Sequence, residues 1–467
     1  MESWVITPDK FIIHVRPGVY WTGKEGVMDR REFTADDVIF NIHRFSEIPK
    51  FVGSLWVEYE GEKGNGNVTD VYATDKYTVV LETAFYSARM TRYICGKQQS
   101  MYPHEVVEAG QSDWDNLVGT GPFMYDKYVE GSYMSYNRNP NYWRKATIDG
   151  VEYQLPFVDK LIFPLIIDPS TQLAALRTGK LDILYPMDLR YESTLAQTNP
   201  ELLQFKYEAG GVRVIVLNMD REPFNNREVR RAMWIALDLQ YMNEALYLDG
   251  NLHAWPIMPG VPGHKTYEEL EPSIQELYSY DPAKAKQMII DAGYPDGFKV
   301  TALCRDDPIF SDIEVMCKAY WEEIGVEMDI EVLEKVARKA RLKARDTWEV
   351  TAEWANCNTP QEATHKWGPL EAPPQSTWNT ANYRDPYVWE QWLKANAIAD
   401  TDEANAIWVP LIPIVVNDAA YMSPGADSLA SYWWPWVKNY YGEAYFYSIY
   451  SMTSAWIDQD LKAEMGY

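Results

Sequence analysis

The chain has 467 residues, 68 acidic against 43 basic, for a net charge of −25; 46% are hydrophobic and 24% charged. That length can bury several large cores, and the acidic excess argues against nucleic acid and anionic membrane surfaces, whose phosphates call for clustered Lys and Arg. Aromatic residues reach 14%, with 19 Trp and 33 Tyr, a supply that suits either an aromatic core or a surface that grips varied ligands.

Residues 10–16, KFIIHVR, predict a strand closed by a Pro17-Gly18 turn. The following EFTADDVIFNIHRF predicts a helix: Thr34 with Asp37 three residues on is a capping-box pattern, and Val38, Ile42 and Phe45 share a helical face. GNGNVTDVYATDKYTVVLET reads as a turn and two strands, and GTGPFMYDKYVEGSYMSYNRNPNYW as strands on either side of Glu130-Gly131. VDKLIFPLII is an apolar strand, Asp168-Pro169 a helix start, and Gly179 the stop. GVRVIVLNM at 211–219 is a continuous apolar strand of the buried kind.

From Asn225 onward, Val229, Ala232, Met233, Ala236 and Leu237 predict a helix, with Glu228 completing its cap. Asp281-Pro282 opens another that Gly293 ends. Phe298–Cys304 is a strand, 309–324 a helix stopped by Gly325, and Val326–Leu333 a strand, an order that implies a parallel crossover. Near Thr401 the helical spacing lasts under two turns before Pro410, predicting a short helix.

Cys95, Cys304, Cys317 and Cys357 form no CxxC pair, and the six histidines are scattered without metal-site spacing; two disulfides remain open in an oxidising compartment. His253 and His264 share a Pro/Gly-rich loop with no ligating partner nearby in sequence. No apolar run has the length of a membrane-spanning helix, and no signal-peptide pattern precedes residue 20.

Six stretches, in order, resemble family 5 of the bacterial extracellular solute-binding proteins, the oligopeptide, dipeptide and nickel receptors. They are FIIHVRPGVYWTG with FTADDVIFNIHR, GTGPFMYDKYVEGSYMSYNRNPNYW, VDKLIFPLIIDPSTQLAALRTGKLDIL, PFNNREVRRAMWIALD and DPAKAKQMIIDAGYPDGF. The resemblance implies an α/β, two-lobed, periplasmic-binding-protein-like fold of the type II, three-subdomain kind with a hinged inter-lobe cleft. Residues 1–118 would form a subdomain of the first lobe, 119–222 with 425–467 its hinge-proximal part, and 223–424 the second lobe. It further implies an extracytoplasmic, lipid-anchored or periplasmic monomer. Such a receptor traps a peptide-like or other small solute and passes it to the permease subunits of an ABC importer, with no cofactor, no metal, no nucleic acid and no catalytic residue. Because Met1 falls inside the region that precedes the first strand in the family, the resemblance also implies an N-terminally truncated chain. It would lack part of the first lobe, including strands that pair with residues 158–219. The short helix near Thr401 would be a second departure.

In peptide-binding members of that family a Trp precedes an acidic segment whose Asp pairs with the peptide amino terminus. The matching stretch is AEWANCNTP, which keeps Trp354 and places Asn356, Cys357 and Asn358 where the Asp is expected. The resemblance thus implies a solute not anchored by a free amine. Arg305, at the carboxyl end of a predicted strand, is a candidate for a carboxylate or phosphate oxygen; its alternative is an ordinary ion pair. Tyr93, Phe123, Trp348 and Trp378 are candidates for stacking, each with a core position as the alternative. A secreted glycoside hydrolase with two carboxylates is the rival class; the chain shows no nucleophile elbow, HExxH, P-loop or eightfold strand–helix alternation. A sensor on the same scaffold is a further alternative.

Overall fold

A computed structural model of the chain describes residues 1–46, 58–59, 62–63, 67–86, 94, 100–248, 250–345, 347–370, 378–443 and 449–467. It divides into two units, Met1–Tyr207 with Leu429–Tyr467, and Glu208–Ser428. The chain thus passes from one unit to the other twice, at Tyr207/Glu208 and at Ser428/Leu429.

The first unit opens with β1 (Ser3–Ile6), β2 (Lys10–His14), β3 (Val68–Asp75) and β4 (Thr78–Thr83), an antiparallel sheet in the order β1-β2-β4-β3. Helix α1 (Ala35–Ser46) supplies Val38 and Ile42 to a core shared with Phe11, Ile13, Val79 and Leu81. Its start follows the expected cap, the Thr34 N–H donating to Asp37 Oδ2 at 2.9 Å. Strands β5 (Phe123–Val129), β6 (Tyr133–Arg138) and β7 (Lys160–Pro164) make a second antiparallel sheet.

Helix α2 (Pro169–Arg177) is capped by Asp168, which accepts from the Thr171 N–H. In a third sheet the strand Ser428–Trp433 lies between β8 (Ile183–Asp188) and β9 (Leu203–Glu208). Its core gathers Leu173, Leu176, Leu195, Trp434 and Trp436, the last two stacked at 4.5 Å between ring centroids. Offset stacking of this kind adds to simple area burial.

The second unit is built on one mixed sheet. Its elements are β10 (Gly211–Leu217), α3 (Arg227–Ile235), α4 (Leu239–Tyr247), α5 (Pro282–Asp291), β11 (Phe298–Arg305), α6 (Pro308–Glu323), β12 (Val326–Leu333), α7 (Lys335–Ala344) and β13 (Val350–Asn356), then α8 (Pro386–Asn396), α9 (Thr401–Asn417) and β14 (Tyr421–Met422). The strand order is β12-β11-β13-β10-β14. β11 pairs in parallel with β12 from Phe298↔Val326 to Arg305↔Leu333, so the predicted strand–helix–strand crossover is present. The crossover is tight where it returns: a Cβ on Gly297 would lie 1.8 Å from the Gly325 carbonyl oxygen, and both glycines have positive φ.

β10, expected with the first lobe, lies in this mixed sheet of the second unit. It pairs with β13 along its whole length, Gly211↔Asn356 to Leu217↔Val350. Its near-continuous burial explains the placement, since a strand apolar on both faces needs covering layers on both sides.

The helix expected to stop before Pro410 instead runs from Thr401 to Asn417 with Pro410 and Pro413 inside it. Each proline removes a donor, to the carbonyls of Ala406 and Val409 in a regular helix, at a cost of about 3 kcal/mol. Burial of Trp408, Leu411, Ile412, Val415 and Val416 against the unit's core outweighs that loss.

Candidate functional site

The sheet of the second unit sends the carboxyl ends of three mutually parallel strands, β11, β12 and β13, to one edge. In open α/β sheets such an edge is where side chains can converge on a ligand. Arg305 is the last residue of β11. Its side chain is 43% exposed, its Nε is 3.7 Å from Asp307 Oδ2, and its guanidinium lies 5.2 Å from the centre of the Phe310 ring. The parallel register of β11 with β13, Ala302↔Val350 and Leu303↔Thr351, puts Arg305 and Trp354 both toward the carboxyl ends of neighbouring strands.

Trp354 is 39% exposed, unusual for an indole in a central strand. Its Nε1–H donates to Asn356 Oδ1 at 3.0 Å. Across the ladder Trp354 is paired with Arg213, whose guanidinium sits 5.5 Å from the indole centre. Arg213 forms an ion pair with Asp427 at 3.2 Å, the two side chains 14% and 16% exposed. Beyond that contact, Arg213 Nε and Asp427 Oδ1 have no hydrogen-bond partner, and the Tyr247 hydroxyl lies beside the guanidinium. Burial pushes the Tyr247 phenol up to about 12, so it remains protonated.

Cys357 is fully enclosed, its thiol 3.7 Å from the Ala355 carbonyl oxygen, and burial pushes its pKa up. Asn356 and Asn358, on either side of it, are exposed. The edge therefore presents two amides and a tryptophan. Trp348 is completely buried in the core, while Trp378 and Phe123 are half-buried; Tyr93 and Cys95 lie outside the described residues. Cys304, Cys317 and Cys357 are free, buried thiols.

His253 packs between Tyr267 and Tyr278, and burial lowers its pKa; His264 Nδ1 meets the Ile257 carbonyl at 2.8 Å. Among the described residues no group of three or more His, Cys, Asp or Glu could hold a metal ion, and no helix is long and apolar enough to cross a membrane.

Three residues escaped the sequence reading. Arg338, on α7, is buried and ties β11 to β13: it donates to Leu303 O (3.1 Å), Thr351 Oγ1 (2.6 Å) and Ala352 O (2.7 Å) and pairs with Glu353 at 2.7 Å. Its segment, KVARKARLKA, reads as a solvated basic face. Glu314, on α6, is 1% exposed; Oε1 accepts from the Ala352 N–H at 3.0 Å and Oε2 has no partner, and burial pushes its pKa up to about 7. Arg213 did leave a signal, as the lone charge within an otherwise apolar strand.

A family model described as bacterial extracellular solute-binding proteins, family 5 Middle, matches residues 1–367. The chain is 26% identical over 380 residues to heme-binding protein A of Haemophilus influenzae, a match covering 76% of this chain and 65% of that protein. It is 25% identical over 348 residues to di/tripeptide-binding protein 1 of Pseudomonas aeruginosa, covering 70% and 62%. The chain thus spans just under two thirds of the length of these two relatives. An ABC transporter-associated periplasmic binding protein from Helicobacter pylori, solved in complex with peptide STSA, superposes with a TM-score of 0.75 at 22% identity, over 98% of this chain and 88% of that one. At that identity the likeness is one of fold, the α/β two-lobed fold of periplasmic binding proteins.

Proposed function

The chain belongs to the bacterial extracellular solute-binding proteins of family 5, and from that membership we propose that it is the solute receptor of an ATP-driven importer, acting outside the cytoplasm and delivering a small solute to a membrane permease. The match of the family model over residues 1–367 carries this reading. The relatives' names, heme-binding and di/tripeptide-binding, describe binders of small solutes and no enzyme. A receptor of this kind works by population shift: solute that contacts the protein better in one conformation draws it into that conformation.

Within the second unit, the carboxyl edge of β11 and β13 is the proposed solute-contacting surface, with Trp354, Asn356, Asn358 and Arg305 its contacts and Cys357 a buried support. Tyr93 stays on the list of proposed contacts from sequence alone. Arg305, half-exposed and held by Asp307 only at 3.7 Å, has guanidinium donors available for a carboxylate oxygen. The 356–358 segment offers no carboxylate for an ammonium group, so the solute is one that does not rely on a free amino terminus.

Native mass spectrometry of the chain purified from its host tests the receptor reading. A stoichiometric co-purified small molecule is the expected result; repeated recovery of solute-free protein, with no uptake defect on deletion of its gene, overturns it. Calorimetric titration tests the finer point. N-acetylation of a dipeptide should leave its affinity unchanged, and a tight interaction that needs the free amine would refute it.

A further inference from the structure

Trp354 is held on three counts. A Cβ on Gly211 would come within 2.9 Å of the indole Cε2 and Cζ2 and 2.4 Å of the Ala355 carbonyl oxygen, so only glycine lets the ring lie down against β10. The indole N–H is tied to Asn356. The guanidinium of Arg213, paired with Trp354 across the ladder, sits against the ring at 5.5 Å. A ring so fixed has lost its rotamer freedom before any ligand arrives, which is the condition for a stacking surface that binds without an ordering penalty. The side chain nonetheless stays 39% exposed.

We propose that Arg213 makes the open face of Trp354 a stacking platform for a planar group that is neutral or anionic, and selects against a planar cation. This rests on the receptor reading above and names a class of solute for it. An indole attracts cations through the negative potential of its face. Here that attraction is already used by Arg213, and a second cation at the exposed part of the ring meets both a depleted ring potential and the guanidinium's charge. Asp427 balances the charge of Arg213 overall, but the guanidinium is the group set against the ring. Arg305, 43% exposed at the end of the neighbouring strand, is a further cation at the same sheet edge. A conjugated ring bearing a carboxylate satisfies both features; an aromatic amine satisfies neither.

The test uses three probes that share one ring, indole-3-acetate, indole-3-acetamide and tryptamine, titrated into the full chain by saturation-transfer NMR. Fragments of this size bind in the millimolar range, so ratios are the readout. The expected order is acetate, then amide, then amine, with at least about a fivefold gap between the first and last. Trp354→Ala should abolish saturation transfer from all three. Arg213→Met, checked for folding by circular dichroism, should collapse the gap to within about twofold, and Arg213→Lys should restore the order, a rescue that a merely structural role would not give.

Equal or tighter binding of tryptamine, unchanged ratios in Arg213→Met, or no binding of any probe overturns the proposal. Recovery of a co-purified solute with no planar group, retained by Trp354→Ala, would sink the platform while leaving the receptor reading standing.

Discussion

Two arginines sit within the same sheet of the second unit and differ in how they are satisfied. Arg338 reaches four oxygens, on Leu303, Thr351, Ala352 and Glu353, all within 3.1 Å. Arg213 has one ion pair at 3.2 Å, made by Nη1, and a buried Nε that meets no acceptor. Buried polar groups are nearly always hydrogen-bonded, so a saturated arginine is explained by the fold, and an unsaturated one calls for another reason to be there. The neighbours supply it: Arg338 lies beneath closed backbone, whereas Arg213 lies against an indole that is open to solvent. Satisfaction of donors, more than burial, separates the arginine that holds the sheet from the one proposed to bias a ligand.

That contrast can be broken most easily at Arg338. Arg338→Met strands the Glu353 carboxylate and the acceptors on both strands, and should cost about 3–5 kcal/mol in urea unfolding, the range for a broken buried pair. A loss below about 1 kcal/mol would remove the basis for calling it structural.

Glu314 lies beneath the same two strands and ranks next. Its pKa is raised from 4.5 to about 7 by burial, so between those values the folded protein holds a proton that the unfolded chain has released. Stability should therefore be greatest below about pH 4.5 as far as this group is concerned, fall as pH rises to about 7, and level off, a span of about 3 kcal/mol. Glu314→Gln keeps the shape of the neutral acid, should flatten that window, and should gain most above pH 7. Unfolding midpoints at pH 5 and pH 8 give the comparison, and an identical pH dependence in both proteins would show that Glu314 is ionised in the fold.

Arg213→Met should cost only about 1–2 kcal/mol, since its pair is partly exposed and its geometry incomplete. A loss as large as that of Arg338→Met would erase the distinction and recast Arg213 as structural. Smallest is Asn356→Ala, which frees the indole N–H of a surface residue. Stability should move by no more than about 0.5 kcal/mol, while the Trp354 emission, followed against a Trp354→Phe background, should shift to the red. An unshifted spectrum would show that Asn356 does not hold the ring.

Much of the scaffold was legible in local chemistry. Asp168 and Pro169 start α2, Asp281 and Pro282 start α5, and the turn at Gly325 returns α6 into β12, as their side chains and backbone freedoms require. These are contacts between residues a few positions apart, and a sequence displays them directly. The α9 helix shows the limit. Pro410 and Pro413 argue locally for a stop, and only the apolar face formed by Trp408, Leu411, Val415 and Val416, packed against distant residues, carries the helix through.

The same limit governs the candidate site. Trp354 and Arg305 could be singled out because strand ends and an aromatic residue are visible along the chain. Their partners could not: Arg213 is 141 positions from Trp354 and Arg338 is 35 from Leu303, and only strand order and register bring each pair together. What the amino-acid sequence by itself determined was the family, the sequence of strands and helices, and which side chains are chemically able to meet a solute, since those follow from local propensity and residue type. The tertiary structure alone decided which of those side chains are spent on holding the sheet and which stay exposed at its edge, because that depends on hydrogen bonds completed between strands far apart in the chain.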